Sequence, residues 1–566
     1  MSEVSALVDE PTPGELAAQL ERRPEPGPRG FVVSVSAIAW VGAAALFILL
    51  RVATIWHAPV AGAELLQLSG AWQARSGVAG AHFVPTLFQA LTTLLLHLSS
   101  SAAPARTLAF LATASIPAAL FMLRGRLGQA GALLALVVLA FDGPAITLGS
   151  SASAMGFDLA LTVWLFVAMD RDARGDALPR WLLPVVGFLA VTSGPLVLPL
   201  VAGWAAVRLI RADYPPAIAA AWCAVGVAAG VVLATVQFGM GVDGLRVPPF
   251  MLFADSFDQT WSTATALDMT LLYGLPVLFA GIAAAVVLVN RMYLERVFRP
   301  RELLLLAWAG FALVWLIASA NSHSAVSLVA VTTPLALILG PLAAEALAAM
   351  VHADWRYGRY LIPFAAFTAL LALAVGLKWA HADAVGGAAE QLLVAGLGII
   401  AVASLALLAS QRESWGTLTA AALAVAAVPF LSGGLGVGLS AGSEPSPSPY
   451  LTGQAHELRD IALQTAAANH GTIVVHPDLA DAVTWPFRDS GTIIVASRVP
   501  EDAAIVLWPA SQPAPTGYTA LSGDWALVGE VQPPTADFLT YLRWVANRGT
   551  AKNTSQPIAV YLKAKT

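Results

Sequence analysis

Apolar runs of about twenty residues, almost free of charge, recur along most of this chain. A helix of that length crosses the roughly 30 Å hydrocarbon core of a bilayer. Only 11% of the 566 residues are charged and 58% are hydrophobic, whereas soluble domains carry about 25% charged residues. The pattern therefore predicts an all-α, polytopic membrane protein.

We predict thirteen transmembrane helices within a membrane domain over residues 31–438. Their predicted bounds are 31–51, 104–123, 127–143, 155–169, 180–193, 195–210, 216–237, 268–290, 302–320, 325–350, 359–378, 389–410 and 415–436. Residues 1–30 are polar and Pro-rich, and no small-residue cleavage site follows a short apolar stretch, so we interpret them as a disordered cytoplasmic tail and not as a signal peptide.

The distribution of basic residues predicts the orientation, because Lys and Arg are retained in cytoplasmic loops. With the N-terminus inside, the inner segments hold 17 basic residues and the outer membrane-proximal segments hold 5. This alternation requires that the apolar stretch 84–99 does not cross the membrane. We therefore predict an interfacial helix there, within one long outer loop over residues 54–103.

The composition changes near residue 439, where Gly, Ser and Pro predict a linker over 439–455. Helix-like spacing over 456–470 and 537–548 alternates with short β-branched runs at 472–476, 492–497, 504–508 and 558–563. We predict a small α/β domain over residues 456–566. The odd number of spans places this domain on the extracytoplasmic side.

Several function classes are disfavoured by composition and motifs. The single cysteine, Cys223, excludes a disulfide framework and a Cys-based metal site. The net charge of −5 implies no nucleic-acid partner. No stretch has metal-ligand spacing, a P-loop or a dinucleotide fingerprint. The sequence therefore predicts no metal site from ligand spacing. It leaves the identity of any cofactor open, and a divalent cation remains among the candidates.

Charged residues at the outer ends of the predicted spans are the candidate functional residues, since an ionisable group at membrane depth is costly. They are Glu64, on an amphipathic piece with Leu65, Leu68 and Trp72 on one face, and Asp158, Arg106 and Arg246. The alternative for each is a snorkelling or solvated loop side chain. For His82 and Asp142 that alternative is the favoured interpretation.

The order of these features resembles the GT-C superfamily of membrane glycosyltransferases, which includes protein O-mannosyltransferases and aminoarabinose transferases. The flippase-activity-associated branch, with its C-terminal extension, is the most similar in style. The resemblance covers roughly residues 31–210. It rests on Glu64 opening the first outer loop, an apolar helix from Pro85 to Leu91, the Ala105-Arg106-Thr107-Leu108 start of a span, the basic turn at 124–128, and Asp158. Residues 484–491, TWPFRDSG, are faintly like an aromatic-Arg-Asp motif of that branch.

The resemblance implies that a sugar is transferred from a polyprenyl-phosphate donor to an unidentified protein, lipid or glycan acceptor on the outer face. It also implies that the protein contacts membrane lipid. By resemblance Glu64 is the catalytic base and Asp158 supports it. Arg106 and Arg246 are phosphate-side cations, and His82 binds substrate. The family usually opens the loop with an Asp-Glu pair, which here is Ala63-Glu64.

Two alternatives remain at this point: a catalytically silent relative that serves as a component of a membrane complex, and a transporter. The predicted span interiors are almost wholly Ala, Leu, Val and Gly, which disfavours a transporter with buried acids or bases. The Ala-rich composition and the family likeness suggest a bacterial host.

Overall fold

The computed structural model describes fifteen stretches of the chain: residues 34–57, 59–60, 62–75, 86–173, 182–194, 196–211, 216–237, 273–297, 299–318, 325–352, 430–431, 433–439, 450–488, 493–532 and 552–563. The predicted tail, the predicted spans at 359–378 and 389–410, most of the span at 415–436 and the predicted helix at 537–548 lie outside these residues. The chain divides into two compact units, residues 1–42 and 43–566. The described part of the first unit is the beginning of helix α1.

Besides residues 430–431 and 433–439, which are also helical, fourteen helices precede the sheet in the described residues. They are α1 (Val35–His57), α2 (Gly62–Arg75), α3 (Leu87–Leu98), α4 (Ala103–Ala114), α5 (Ile116–Leu127), α6 (Gln129–Phe141), α7 (Gly143–Ser150), α8 (Ala154–Ala173), α9 (Leu182–Thr192), α10 (Val197–Arg211), α11 (Pro216–Gln237), α12 (Leu275–Glu295), α13 (Pro300–Ala318) and α14 (Ala325–His352).

The first ten predicted spans coincide with helices or helix pairs of this set. Five stretches are long and apolar enough to cross a membrane, including α4 and α5 together as Ala103–Leu127, and a sixth is the bent pair α6–α7. Helices α9, α10 and part of α11 are apolar but shorter. Large apolar side chains on α12, such as Phe279, Val286 and Leu294, are exposed, as lipid contact requires.

The bend of 70° between α6 and α7 has a local cause. Asp142 separates the two helices and Pro144 occupies the first turn of α7, where proline lacks the N–H that would continue the α6 hydrogen-bond ladder. The Asp142 carboxylate is fully buried and accepts a hydrogen bond of 2.6 Å from the Thr332 hydroxyl of α14.

Arg51 of α1 is also fully buried. Its guanidinium donates to the carbonyl oxygens of Phe47 at 2.9 Å and Leu139 at 3.2 Å. Arg51 and Asp142 lie at the ends of their predicted spans, 31–51 and 127–143, so they do not test the prediction that the span interiors lack acids and bases. The favoured interpretation of Asp142 as a snorkelling or solvated side chain is wrong, because its carboxylate is fully buried and bonded to Thr332.

Small residues let neighbouring helices approach closely, as is typical of packing within membranes. A Cβ atom added at Gly226 of α11 would overlap the carbonyl oxygen of Pro184 on α9, and one added at Gly187 would overlap that of Cys223. Elsewhere in the bundle larger groups fill the space, as where the Phe166 and Trp308 rings lie 5.4 Å apart.

The C-terminal part forms the predicted α/β domain. Its elements are strands β1 (Tyr450–Leu451), β2 (Thr472–Val475), β3 (Ile493–Val495), β4 (Ala503–Pro509), β5 (Tyr518–Ala520), β6 (Trp525–Gln532) and β7 (Lys552–Lys563), and helices α15 (Gly453–Asn469) and α16 (Ala480–Thr484). The strand order is β1-β6-β7-β4-β2-β3, with β5 also paired to β7. β2 runs parallel to β3 and β4, and the other pairs are antiparallel.

Both faces of β4 are buried, which explains its continuous apolar run. Ile505 and Leu507 belong to one hydrophobic cluster with Leu458 of α15. Val506 and Trp508 point to the opposite face and belong to a second cluster. The sheet therefore has a core on each side.

We predict that Gly226→Ala destabilises the protein by about 1–3 kcal/mol, because the methyl group would force α9 and α11 apart. The measurement is thermal unfolding of the purified protein in detergent. Gly310→Ala on α13 is the matched control, since nothing lies within 4 Å of its Cβ position, and it should be neutral or slightly stabilising. Equal losses in both variants would contradict the close-contact explanation.

Candidate functional site

Helix α2 positions the first candidate residue, Glu64, in its opening turn. A carboxylate there is favoured by the partial positive charge of the helix N-terminus. The predicted apolar face is confirmed, because Leu65 and Leu68 are buried and Trp72 packs beside them. Glu64 directly precedes Leu65 in the sequence, so burial of the apolar face of α2 also buries the Glu64 carboxylate.

Glu64 and Arg106 form a bidentate ion pair. The Arg106 Nε donates to Glu64 Oε1 at 2.6 Å, and Nη2 donates to Oε2 at 2.7 Å. The backbone N–H of Ala152, in the turn between α7 and α8, donates to Oε1 at 2.9 Å. Three segments far apart in sequence thus meet at one carboxylate.

The pair is almost completely removed from water, with Glu64 1% and Arg106 8% exposed. Burial of this kind is tolerated only when each charge finds partners. The Arg106 Nη1 meets that need by donating to the carbonyl oxygen of Ile55 at 2.9 Å, near the end of α1. Both residues are therefore tightly held, and neither is a solvated loop side chain.

The two oxygens of Glu64 differ in what they can still do. From the residues that the structure describes, Oε1 accepts two hydrogen bonds and Oε2 accepts one. Since a carboxylate oxygen has about two lone-pair sites, Oε2 keeps one acceptor position. A proton or a further donor would arrive at Oε2.

Asp158 lies one turn into α8 and is 2% exposed. Its Oδ2 accepts a short hydrogen bond from the backbone N–H of Gly194, in the turn after α9. At 1.5 Å rise per residue, Asp158 is about 6 Å along the axis from the first residue of α8. Within the described stretches no hydrogen bond joins Asp158 directly to Glu64 or Arg106.

The other sequence candidates are less informative. His82 and Arg246 lie outside the described residues, so their predicted roles stay predictions. Among the side chains that the structure describes, no group of three or more His, Cys, Asp or Glu could hold a metal ion.

Helix α3 is the apolar stretch expected to stay in the outer interface. It has twelve residues, about 18 Å at helical rise, which is too short for a ~30 Å core. Its polar Gln89 and Thr92 are buried while Leu94 and Leu98 are exposed. The outward leucines suit a helix lying against lipid, and the inward Gln89 bonds to Gln67 of α2.

The C-terminal domain packs directly on α2. Leu65, Leu68 and Ala71 belong to the same buried cluster as Trp485 and Phe487, which follow α16. The Leu451 N–H of β1 donates to the carbonyl oxygen of Val60 at 2.8 Å. The domain and the first predicted outer loop therefore lie on the same side of the membrane bundle, and the helix carrying Glu64 is covered by the domain.

Arg488 makes a second contact between the C-terminal domain and the predicted outer loop, near the last residues of that loop. Its Nε donates to the Ser100 carbonyl oxygen at 2.7 Å and its Nη1 donates to that of Trp485 at 2.9 Å. The guanidinium carbon lies 4.2 Å from the centre of the Trp485 ring, a cation–π contact. Ser100 precedes α4, so Arg488 connects the domain to the helix that carries Arg106.

Some residues of this region had only weak sequence signals. The TWPFRDSG likeness pointed to Trp485 and Arg488 without indicating their partners. Nothing in the sequence pointed to the Ala152 N–H, since a backbone donor is visible only in the folded turn.

We predict that Glu64→Gln lowers the free energy of unfolding by about 3–5 kcal/mol, because it leaves the buried Arg106 charge uncompensated. The double change Glu64→Gln with Arg106→Met should recover much of that loss, and thermal unfolding in detergent measures both. An additive loss in the double variant would mean that the ion pair is not the reason for the instability.

We also predict that Arg488→Gln loosens the C-terminal domain from the first loop and speeds protease cleavage between residues 439 and 455. Removing a hydrogen bond from a charged group costs about 1.5–3 kcal/mol. The control is Arg459→Gln on α15, whose guanidinium pairs with the adjacent Asp460. Equal cleavage of both variants would contradict the role of Arg488.

Comparison with known proteins gives a structural likeness. No family model and no curated protein matches the sequence. The chain is similar to the crystal structure of ArnT from Cupriavidus metallidurans bound to undecaprenyl phosphate, with 15% identity, a TM-score of 0.50, and coverage of 87% of this chain and 97% of that one. The apo structure of the same ArnT gives 16% identity, a TM-score of 0.43, and coverage of 82% and 86%.

The match to the lipid-bound structure covers 87% of this chain. It covers far more of the chain than residues 31–210, on which the sequence resemblance rested. The likeness shows the fold: this chain has the fold of the lipid-bound ArnT structure.

Proposed function

We propose that this protein is a membrane glycosyltransferase that transfers a sugar from a polyprenyl-phosphate donor to an acceptor hydroxyl or amine on the outer face. The observation that carries the proposal is the buried Glu64–Arg106 pair at the beginning of the first loop helix, within a GT-C fold. A carboxylate and a guanidinium at one point are the two groups that such a transfer requires.

Two further observations support the substrate class. The similar ArnT structure is described as bound to undecaprenyl phosphate, a lipid of the proposed donor's chemistry. The site also adjoins α3, whose outward leucines face the lipid. A donor held in the membrane by its polyprenyl chain would reach the site from that side.

The proposed step forms a bond from the acceptor's nucleophilic atom to the anomeric carbon and breaks the bond from that carbon to the phosphate oxygen. The acceptor proton goes to Glu64 Oε2, the oxygen with an acceptor position left. The electron pair of the broken bond stays on the polyprenyl phosphate, whose negative charge a guanidinium stabilises. The step uses only side chains of this chain and the two substrates.

Arg106 couples the two halves of this step. While the Arg106 fork is bound to Glu64, proton transfer to the carboxylate would break charge-assisted hydrogen bonds. A donor phosphate competes for the same fork, since guanidinium binds phosphate and carboxylate alike. We propose that donor binding shifts Arg106 toward the phosphate and thereby frees Glu64 to take the acceptor proton.

Asp158, Arg246 and His82 have supporting roles in the proposed reaction. Asp158 holds the beginning of α8 against the turn at Gly194, and α8 follows the Ala152 turn that contacts Glu64. Arg246 is proposed as a second phosphate-side cation and His82 as a substrate contact, on sequence grounds. The arginine asymmetry supports the proposal that this site and the C-terminal domain lie outside and the N-terminus in the cytoplasm, and the Ala-rich composition supports a bacterial cell membrane.

One observation favours a second candidate, a catalytically silent component of a membrane complex. Glu64 and Arg106 satisfy one another and are nearly inaccessible to water, which is also how a purely structural ion pair looks. The missing first carboxylate of the family's pair, Ala63 in this chain, agrees with that candidate.

The decisive prediction concerns transfer activity in the stability-compensated variant. Purified protein is given a radiolabelled polyprenyl-phosphate sugar fraction from its host membranes together with whole host envelope, lipids included, as acceptor. We expect the wild-type protein to transfer label. The rate of transfer by the Glu64→Gln, Arg106→Met double variant should be at least about 100-fold lower, since a positioned general base accelerates a reaction by a factor of about 10²–10⁴.

The controls separate the two candidates. Arg459→Gln, on the exposed side of α15, should retain wild-type activity. Transfer by the folded double variant at the wild-type rate would remove the ion pair from the chemistry. A folded wild-type protein that transfers no label from any host fraction would favour the silent component.

A further inference from the structure

A cavity of about 610 Å³ opens at the opposite end of the bundle from the Glu64–Arg106 pair. Its walls come from the α5–α6 turn, the end of α12, the beginning of α13 and the second half of α14. Arg106 and Arg126 lie near the two ends of the candidate span Ala103–Leu127, so the cavity is about 30 Å from the proposed site at 1.5 Å per residue.

Four guanidinium groups line this cavity, which we call the arginine cavity: Arg126, Arg291, Arg299 and Arg301. Three carboxylates line it too, from Glu295, Glu302 and Glu345. The lining therefore has a small positive excess, and the question is how much of the arginine donor capacity is already used.

The ion pairs leave much of that capacity open. One pair is close, with Arg291 Nη1 and Glu345 Oε2 2.7 Å apart. Arg299 approaches Glu295 at 3.6 Å and Glu302 at 3.5 Å, and Arg301 approaches Glu302 at 4.0 Å, which are distances beyond good hydrogen bonds. Arg301 also donates to the Arg126 carbonyl oxygen, while its buried Nε atom has no hydrogen-bond partner among the described residues.

The backbone adds donors at the same place. Helix α6 begins at Gln129 after Gly128, and no side chain caps its first N–H groups. Residues 128–131 line the cavity. Uncapped N–H groups at a helix N-terminus bind anions, and phosphate in particular. Gly128 has φ 76° and nothing within 4 Å of its Cβ position, so the approach to these groups is open.

The surroundings are those of a lipid headgroup site. Helices that line the cavity also carry exposed apolar side chains, among them Tyr293 and Leu294 of α12 and Met122 of α5. Basic cavities between transmembrane helices bind anionic lipid headgroups, especially on the cytoplasmic side. The arginine asymmetry of the sequence predicts that side for this end of the bundle.

We propose that the arginine cavity is a binding site for a phosphate group, supplied by an anionic phospholipid or by free phosphate. The unused donors of Arg299 and Arg301, the side chain of Arg126 and the first N–H groups of α6 bind the phosphate oxygens. This site is independent of the proposed transfer reaction, since it lies at the other end of the bundle.

The test measures lipid retention by native mass spectrometry. Delipidated protein is mixed with phosphatidylglycerol or phosphatidylcholine in detergent, and a parallel arm measures thermal stabilisation by inorganic phosphate. We expect preferential retention of phosphatidylglycerol, weakened about fivefold for each arginine removed in Arg126→Gln and Arg301→Gln, since each basic residue near the surface contributes about that factor.

Two variants make the result specific. Arg124→Gln is the matched control, because Arg124 is two residues away on α5, bonds to the Phe121 carbonyl oxygen and does not line the cavity. It should retain phosphatidylglycerol as wild type does. Glu345→Gln removes a competing carboxylate and should strengthen retention, an effect that misfolding cannot produce.

The outcomes decide the proposal and the source of the phosphate. Stabilisation by inorganic phosphate, lost in Arg126→Gln, would identify a site for free phosphate. Retention of phosphatidylglycerol without that stabilisation would identify a lipid site. Equal retention of both lipids with no response to phosphate, or equal losses in Arg124→Gln and Arg126→Gln, would overturn the proposal.

Discussion

The arrangement of this protein's first loop depends on one ion pair that is buried away from water. A carboxylate at 1% exposure and a guanidinium at 8% are stable only while each has the other, together with the Ala152 N–H and the Ile55 carbonyl oxygen. Those partners fix the relative positions of α1, α2, α4 and the turn before α8. The arrangement that a transfer reaction would need is thus also the arrangement that electrostatics enforces.

The C-terminal domain completes that enclosure. Its Trp485 and Phe487 extend the apolar cluster around α2, and Arg488 reaches the loop before α4. A segment near residue 60 and one near residue 451 therefore fold as one body. In the proposed reaction, this domain would lie between Glu64 and an approaching acceptor, because it packs on the helix that carries Glu64.

Much of the membrane fold could be predicted from the sequence, because apolar length reports span positions directly. The α/β domain was also predictable where β-branched runs are continuous, as in β2 and β4. Strand β6 was missed: its sequence, WALVGEVQ, mixes apolar residues with Gly529, Glu530 and Gln532, so neither a continuous run nor a clean alternation marks it. At the site, Glu64 and Arg106 were chosen by type and position. Their pairing across 42 residues could not be read from the sequence, nor could the partners of Arg51, Asp142 and Arg488, because periodicity within a segment carries no information about what that segment packs against.

The buried Arg51 has a consequence for how the protein is made. Arg51 lies near one end of the candidate span Val35–Ile55, where a long cationic side chain reaches water at the membrane surface while the helix is still alone. One of its acceptors, the Leu139 carbonyl oxygen, is synthesised 88 residues later. The guanidinium therefore gains that acceptor only when α6 packs against α1, so the association of these two helices and the burial of Arg51 are a single event.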